Sequence, residues 1–431
     1  MQIRFYNAKI MTMAEGTAWM EGELWVRDGR IAYVGDGAGR PEEVPVWDRE
    51  IDAEGNLLMP GFKDAHTHSA MTFLRSYADD LPLQEWLFQK VFPMEARLTE
   101  GDAYELSRLA VMEYLTSGIT ANFDMYFMPA EVIAKASEDC GFRTVLCGAV
   151  NDSVQSVEDM ERWYRTFNRE GDLISYMVGF HAEYTTSKEL LERIADLAHR
   201  VQSPVWCHNS ETKREVEECI GRYGMTPTAL MDSLGMFELP GGGYHCVHMT
   251  EEDLEIFRNK GLTVVTNPAS NMKLASGMAP IQKMCDMGIP VAIGTDGPAS
   301  NNCLDMFREM FLVTGLAKLR EMDAAAVNAD LVLQMATVNG ARAMGLTDCD
   351  TLEAGKLADL IMIDLHQPNM QPLNNIAKNI VYSGSKQNVK LTMVNGKILY
   401  ENGEFFIGGD PEEIYRKSNE IIKEKISQSR G

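Results

Sequence analysis

Short apolar segments alternate with amphipathic segments through the middle of the chain. Eight of the apolar segments read as strands, and helix-like stretches such as SKELLERIADLAHRVQ separate them. The eight are LLMPGFKDAH, ITANFDMY, RTVLCGAV, YMVGFHAEY, PVWCHN, GYHCVHM, LTVVTNP and PVAIGTDG. Strands that alternate with helices form parallel β/α units, and eight such units close into a barrel. The pattern therefore predicts an α/β fold, an eight-stranded β/α barrel of the TIM type.

Both ends of the chain differ from the middle, because their short strands are joined directly by turns. IRFYNAKIMT and GELWVRDGRIAYVG lie near the start, and KLADLIMIDL and VKLTMVNGKILYENGEF lie near the end. The dipeptide Asn395-Gly396 is a hairpin signal within the last of these. We expect the two ends to build one small β-sandwich domain from residues 1–57 and 351–431, closed by a helix from Pro411 to about Ser427. Residues 58–350 would then form the barrel.

Composition narrows the function classes. The net charge of −23 disfavours nucleic acid and anionic membranes as partners, since both attract Lys and Arg. No apolar run approaches the roughly 20 residues of a membrane span, and the start lacks the layout of a signal peptide. The eight cysteines are scattered without a C-x-x-C pair, which is typical of reduced thiols in the cytoplasm. We expect a cytoplasmic protein, and a homo-oligomer.

Histidines and acids gather where the predicted strands end, and the carboxyl ends of barrel strands share one face. Because side chains alternate along a strand, His66 and His68 lie on the same side of the first one. With His208 and Asp296 they offer three nitrogens and one oxygen, which suits zinc with a position left open for water. A single buried histidine is more often held by hydrogen bonds in a core, but four such residues at strands 1, 5 and 8 favour a metal. Strand 4 carries no lysine that could bridge two metals, so one metal is the simpler interpretation.

Glu211 follows His208 by three residues, just beyond the fifth predicted strand. It could be a surface residue in the first turn of the next helix, where acids are favoured. Its position beside a candidate ligand favours proton transfer instead.

Several segments resemble the amidohydrolase superfamily, and within it the methylthioadenosine/S-adenosylhomocysteine deaminases and the related triazine chlorohydrolases. The segments that carry the resemblance are PGFKDAHTHSAMTFLRSYADDLPLQEWL, VFPMEARLT, HNSETKREVEE, HCVHMT, NPASNMKLASGMAPI, GTDGPASNNCLDMFREM, ATVNGARAMGL and LEAGKLADLIMIDL. The resemblance covers nearly the whole chain and implies the barrel and the β-sandwich described above.

The resemblance also assigns roles. It implies one zinc per subunit on His66, His68, His208 and Asp296, although Fe²⁺ or Mn²⁺ could replace zinc, because availability decides the metal as much as the ligands do. Glu211 matches the proton shuttle, His245 matches the histidine that hydrogen-bonds the attacking hydroxide, and Asp296 matches the base. Glu95 matches an acid that binds ribose hydroxyls, and His181 matches a residue that contacts the purine. Trp86 is a candidate lid over the pocket, with packing against the barrel as the alternative.

These roles together imply hydrolytic deamination of an adenosine-type nucleoside, a small-molecule substrate. The family places an arginine, suited to a carboxylate-bearing tail, where our alignment has Cys147. Methylthioadenosine, 5′-deoxyadenosine and adenosine therefore become more plausible substrates than S-adenosylhomocysteine, and Arg143 is only a weak substitute for the missing arginine. The same ligands also serve guanine and cytosine deaminases and triazine chlorohydrolases. A non-catalytic binding barrel is the remaining alternative, and the complete set of candidate residues speaks against it.

After the seventh strand, three polar residues are expected to tie the rim of the barrel together by hydrogen bonds. They are Asn267, Ser270 and Asn271.

Overall fold

A computed structural model describes residues 1–37, 39–41, 46–168 and 173–429, and these residues form two sheets. The strands are β1 (Gln2–Ile10), β2 (Met20–Arg27), β3 (Arg30–Gly35), β4 (Arg49–Asp52), β5 (Leu57–Pro60), β6 (Phe62–Thr67), β7 (Ile119–Met125), β8 (Arg143–Cys147), β9 (Ile174–Ala182), β10 (Val205–Asn209), β11 (Gly242–His245), β12 (Thr263–Thr266), β13 (Val291–Ile293), β14 (Leu360–Ile363), β15 (Val389–Val394), β16 (Lys397–Glu401) and β17 (Glu404–Phe405).

Helices fill most of the intervals between strands. They are α1 (Leu83–Trp86), α2 (Phe92–Glu95), α3 (Glu100–Thr116), α4 (Ala130–Cys140), α5 (Val157–Phe167), α6 (Lys188–Val201), α7 (Lys213–Tyr223), α8 (Pro227–Ser233), α9 (Glu251–Lys260), α10 (Pro268–Lys273), α11 (Ile281–Asp286), α12 (Met306–Glu321), α13 (Ala329–Gln334), α14 (Gly340–Ala343), α15 (Ile376–Tyr382) and α16 (Pro411–Ser429). Two π-helical turns, Leu87–Val91 and Met335–Asn339, join α1 to α2 and α13 to α14. Short 3₁₀ segments span Ser69–Leu74, Glu183–Thr185, Pro368–Met370 and Lys386–Asn388.

The barrel consists of β6 to β13, all parallel, and each strand pairs with its neighbours in the chain. The first and last strands meet just beyond β13, where the Asp296 backbone N–H donates to the His66 carbonyl at 2.9 Å. The side chain of Asp64 accepts a second bond across this seam from the Thr295 backbone N–H at 2.8 Å. The predicted eight-stranded barrel is confirmed.

One predicted strand, LLMPGFKDAH, is two strands in the structure. Its first half is β5, which pairs with β14 and β1 in the other sheet, and its second half is β6 of the barrel. Gly61 separates them, and a Cβ at this position would lie 2.1 Å from the Thr120 side chain. Only glycine lets the chain pass from one sheet to the other so close to its neighbour.

Both chain ends contribute strands to a separate sheet, as the patterns near the termini predict, and the strands of the expected β-sandwich are hydrogen-bonded as one nine-stranded sheet. Its strand order is β17-β16-β15-β14-β5-β1-β2-β3, with β4 paired to β1. The strands are hydrogen-bonded as one continuous path, and this sheet has an apolar core of its own, which includes Phe5, Leu24, Leu360 and Leu391.

The terminal sheet is joined to the barrel by a buried ion pair. Arg143, in the first position of β8, donates from Nε and Nη2 to the Asp359 carboxylate at 2.7 and 3.1 Å. This pair lies at the amino ends of the barrel strands, opposite the strand ends that carry the histidines. Within the described residues, no helix combines the length and hydrophobicity that a membrane span requires.

Candidate metal centre and active site

Four side chains predicted as metal ligands meet at the carboxyl ends of the barrel strands. The candidate ligand atoms of His66, His68, His208 and Asp296 all lie within 4.8 Å of one another, and all four residues are buried. Asp296 Oδ1 lies 3.2 Å from His68 Nε2 and 3.6 Å from His66 Nε2. His66 Nε2 lies 3.2 Å from His208 Nε2. Three imidazole nitrogens and one carboxylate oxygen this close together form a donor set that a divalent cation can bind.

Hydrogen bonds and ring stacking fix the orientation of the imidazoles. Nδ1 of His68 donates to the Met125 carbonyl at 2.5 Å, and Nδ1 of His208 donates to the His181 carbonyl at 2.7 Å. A histidine that donates from Nδ1 presents Nε2 to a metal, which is the usual arrangement behind a ligating histidine. The His66 ring stacks on Tyr244 with 3.7 Å between ring centroids.

The electrostatic environment keeps two of these imidazoles neutral. Burial, and next the neighbouring histidines, hold the pKa values of His66 and His208 well below their ordinary values. Burial also lowers the pKa of His68, but the hydrogen bond and charge of Asp296 outweigh it and raise the pKa to about 9. Neutral imidazole is the form that binds metal, and a cation would compete with the proton for His68. The residues present therefore fit a divalent cation.

Hydrogen bonds hold both oxygens of the Asp296 carboxylate. Its Oδ2 accepts hydrogen bonds from Ser270 Oγ at 2.6 Å and from Ser300 Oγ at 2.9 Å. The Gly297 backbone N–H donates to Oδ1 at 2.8 Å. Burial would raise the pKa of Asp296, but the hydrogen bond from His68 and the charge of His245 hold it well below its ordinary value.

Glu211 and His245 lie beside the ligand set. His245 Nε2 is 3.9 Å from Glu211 Oε2 and 3.9 Å from Asp296 Oδ2. Ser276 Oγ donates to Glu211 Oε1 at 3.0 Å, so Oε2 is the oxygen that faces His245. Nδ1 of His245 donates to Asn271 Oδ1 at 2.7 Å, which directs Nε2 towards the ligands. Burial raises the pKa of Glu211, so this carboxyl retains a proton at a higher pH than an exposed glutamate does.

A pocket opens above this cluster, and it has a polar floor and apolar walls. The floor includes His68, His208, Glu211, His245 and Asp296, which are the catalytic and metal candidates. The walls include Met71, Leu83, Trp86, Leu87, Phe92, Phe127 and Leu274, and His181 and Tyr184 complete the lining. No lysine or arginine of the described residues lines the pocket.

The structure places His181 and Trp86 in the pocket lining, whereas Glu95 is not among the residues that line it. His181 is held by a hydrogen bond of 2.9 Å between Nδ1 and Thr185 Oγ1. Glu95 ends α2 and is 7% exposed, and neither of its carboxylate oxygens has a hydrogen-bond partner among the described residues. Burial raises the pKa of Glu95 to about 7, although nearby Tyr126 and His68 act to lower it.

Cys147 and Arg143 were considered as positions that could bind an anionic tail of the substrate, and neither is among the residues that line the pocket. Cys147 is buried in the barrel core, and its Sγ accepts a hydrogen bond from the Tyr244 hydroxyl at 3.6 Å. Arg143 is committed to Asp359 and does not reach the pocket. Arg143 therefore does not substitute for the missing arginine. As the first residue of β8 it lies at the amino end of the barrel, whereas the pocket lies at the carboxyl ends of the strands.

Of the three residues expected to tie the rim together, two do so. Ser270 and Asn271 hold Asp296 and His245, but both polar side-chain atoms of buried Asn267 lack partners among the described residues. Sequence reasoning missed Ser276 and Ser300. The motif GTDGPASNN contains Ser300 four residues after Asp296, close enough in the chain for a loop to return to it.

A β/α barrel with this ligand set at its strand ends defines a class, the metal-dependent hydrolases. The chain belongs to the amidohydrolase family, which it matches over residues 57–399.

Two curated relatives match almost the whole chain. It is 39% identical, over 99% of its own length and 100% of the relative's, to a 5-methylthioadenosine/S-adenosylhomocysteine deaminase of Caldanaerobacter subterraneus subsp. tengcongensis. It is 43% identical, over 92% of its own length and 93% of the relative's, to an enzyme of the same name in Moorella thermoacetica. Among solved structures, an adenosine deaminase from Xanthomonas campestris with bound zinc has a TM-score of 0.91 and 31% identity, covering 99% of this chain and 98% of that one.

Proposed function

We propose that this protein is a zinc-dependent hydrolytic deaminase that removes the 6-amino group of an adenine nucleoside. One observation carries the proposal: Glu211, His245 and Asp296 converge on the same pocket floor as the buried ligand set. The similarity to deaminases over the full length of the chain supports it.

The metal chemistry follows from the donor set. Zn²⁺ bound by three histidines and one carboxylate would lower the pKa of water from 15.7 to about 7 and so supply hydroxide at neutral pH. The zinc reported in the Xanthomonas campestris structure supports zinc over Fe²⁺ or Mn²⁺. Metal analysis of protein purified without added metal tests this assignment.

The remaining steps belong to the side chains. Asp296 accepts the proton that the attacking water loses, and its Oδ2 is already oriented by Ser270 and Ser300. Glu211 delivers a proton from Oε2 to a ring nitrogen, which makes the adjacent carbon electrophilic. His245 Nε2 stabilises the charge that develops on the attacking oxygen. A C–O bond forms at carbon 6, and the C–N bond breaks as Asp296 passes its proton to the departing amino group. The proton of the new hydroxyl group returns to Glu211, so the substrate plus water becomes an inosine-type nucleoside plus ammonia.

The two other polar candidates distinguish a nucleoside from a free base. Glu95 offers a buried carboxylate near Tyr126 that has no hydrogen-bond partner among the described residues, and a ribose diol could supply donors to it where a free base could not. His181 lines the pocket where the purine would lie, consistent with its proposed contact to the ring.

The apolar walls favour a substrate whose 5′ substituent is uncharged. Among the described residues, no lysine or arginine lines this pocket, so a carboxylate on the 5′ substituent would lose its hydration without a basic side chain to pair with, and such burial is costly. We therefore expect methylthioadenosine, 5′-deoxyadenosine and adenosine to be better substrates than S-adenosylhomocysteine.

Ammonia release across a substrate panel tests the proposal. The panel contains these four nucleosides together with adenine, guanine, cytosine and a chlorinated triazine, whose turnover is followed by chloride release. We expect turnover of the uncharged nucleosides, and turnover that is at least about 10²-fold slower in a Glu211→Gln variant that contains the same amount of metal. Turnover of a free base or a triazine, with none of any nucleoside, would contradict the proposal.

A further inference from the structure

Glu215 is a buried acid that the proposed chemistry does not use. It lies in the first turn of α7 and is 1% exposed. Its carboxylate accepts three backbone hydrogen bonds: Oε1 accepts from Ser210 N–H at 3.0 Å, and Oε2 accepts from Glu211 N–H at 2.8 Å and Thr212 N–H at 3.4 Å. The whole segment between β10 and α7 is therefore bound to one side chain.

Two other helices of this protein show what an acid at the same position ordinarily does. In α3 and α9, Asp102 and Asp253 occupy the third helical position, and each accepts one backbone bond, from the N-cap residue, at 2.9 Å. Such a reciprocal bond is a capping box. Glu215 makes the corresponding bond to Thr212, but that bond is its longest. Its two shorter bonds go to residues that precede the helix, so they serve something other than the cap.

The bound segment determines the position of Glu211. Ser210 has a φ of 51°, in the left-handed region that a serine rarely adopts without support. Its carbonyl accepts hydrogen bonds from Val247 and His248 N–H at 3.1 and 2.9 Å, just beyond His245. The same short segment thus joins Glu211 to the loop after β11. The orientation of Glu211 Oε2 towards His245 depends on these hydrogen bonds to the Ser210 carbonyl.

We infer that Glu215 is a positioning residue for Glu211, holding its backbone so that the carboxyl of Glu211 faces both His245 and the pocket. This inference rests on the proposed role of Glu211 in proton transfer. A carboxylate suits the position because all three converging groups are donors. Glutamine would place an NH₂ group against at least one backbone N–H, and aspartate, one methylene shorter, would not reach all three.

The test compares Glu215→Gln with Asp253→Asn in the full-length, metal-loaded protein. Asp253 is a matched control, because it is equally buried and belongs to the capping box of another barrel helix. We expect Glu215→Gln to lower kcat by up to about 100-fold, the cost of small displacements of catalytic groups, with little change in KM or metal content. Asp253→Asn is expected to lower the melting temperature while kcat stays within about twofold of the wild type.

A double-mutant cycle separates positioning from a general structural effect. If Glu215 acts through Glu211, adding Glu215→Gln to Glu211→Gln lowers kcat by less than about twofold, because the affected group is already absent. An equal loss in both backgrounds, or full activity in Glu215→Gln, would overturn the inference. Glu215→Asp provides the same comparison if the glutamine variant does not fold.

Amide hydrogen exchange provides a readout that needs no substrate. We expect Glu215→Gln to accelerate exchange at residues 210–212 and to leave residues 250–253 unchanged, with the opposite result for Asp253→Asn. Unchanged exchange at residues 210–212 would refute the inference whatever the activity. Accelerated exchange in a protein whose wild type deaminates nothing would instead refute only the proposed function.

Discussion

Ser270 and Asp296 are joined by a hydrogen bond of 2.6 Å from Ser270 Oγ to Asp296 Oδ2. Because Ser300 donates to the same oxygen, the two oxygens of this carboxylate have separate surroundings. Oδ2 is held by hydroxyl groups, and Oδ1 faces His66 and His68. The carboxylate therefore cannot rotate without breaking hydrogen bonds to α10 and to the loop after β13, so the oxygen that faces His66 and His68 is fixed in advance.

Removal of the Ser270 hydroxyl should weaken metal binding. Outer hydrogen-bond partners of metal ligands typically contribute about 10–100-fold to affinity, and we expect a loss in this range for Ser270→Ala. Competition with a chelator of known affinity measures it. Ser107→Ala is the control, because among the described residues that buried hydroxyl bonds only to the Ala103 carbonyl within α3. Identical competition curves for both variants and the wild type would contradict the expectation.

Replacement of Glu211 by glutamine should retain the metal and lose the chemistry. General acid–base catalysis contributes about 10²–10⁴-fold, so we expect kcat to fall at least this far in Glu211→Gln. Glu217→Gln is a suitable control, because Glu217 is an exposed residue of α7, the helix that follows Glu211, and pairs with Lys213 at the surface. Steady-state ammonia release, together with metal analysis, measures both variants. Turnover close to wild type in Glu211→Gln would remove this residue from the mechanism.

The barrel and the ligand cluster were predictable because both follow from short-range patterns. The parallel strands share one carboxyl end, so a histidine or an acid at a strand end is directed to that face wherever it lies in the chain. His66 and Asp296 are 230 positions apart and still meet. The division of LLMPGFKDAH into two strands was not predictable from hydrophobic periodicity, because both halves are apolar and a single residue, Gly61, separates them.

The residues that hold the site residues in place by hydrogen bonds were largely not predictable from the sequence. Ser276 lies 65 residues from Glu211 and reaches it from a loop, whose path no periodicity encodes. Glu215 was partly predictable, unlike Ser276, because Thr212-Lys213-Arg214-Glu215 is a capping-box pattern in the sequence. That pattern predicts the start of a helix, but the additional bonds to Ser210 and Glu211 depend on how the preceding residues turn.

The pH dependence should report the ionisation of Glu95. Burial raises its pKa to about 7, so the carboxyl is largely protonated at pH 6 and ionised at pH 8. The ionised form accepts hydrogen bonds from the ribose hydroxyls more strongly than the protonated form does, so kcat/KM for adenosine should rise with pH through about 7. Glu95→Gln should abolish this rise and lower kcat/KM. With 2′,3′-dideoxyadenosine as substrate, the wild type should lack the rise as well, and its persistence there would assign it to another group.

Metal removal should lower both activity and thermal stability. A ligand that binds only the folded state stabilises it by an amount that grows with its concentration relative to Kd, about 2.7 kcal/mol at 100 times Kd. We therefore expect chelation to lower the melting temperature and to abolish turnover, and zinc to restore both. His208→Ala is the control, since a protein that has lost a ligand should melt at nearly the same temperature with or without chelator. A melting temperature that is insensitive to chelator in the wild type would contradict a bound metal.

Trp86 should contribute to substrate binding more than to chemistry. It lies in α1, in the helical segment that covers the metal cluster together with Leu83 and Leu87, and it is 5% exposed. The cavity below it is about 40 Å³, compared with about 300–1,000 Å³ for common small-molecule pockets, so we expect side chains of the lining to shift when a nucleoside enters. An aromatic contact adds about 0.5–1.5 kcal/mol, and Trp86→Ala should therefore raise KM about two- to tenfold while kcat changes less. Trp19→Ala is the control, because Trp19 is 46% exposed and lies next to β2 in the terminal sheet. A lower kcat with unchanged KM would mean that Trp86 packs against the barrel and supports the site without covering the substrate.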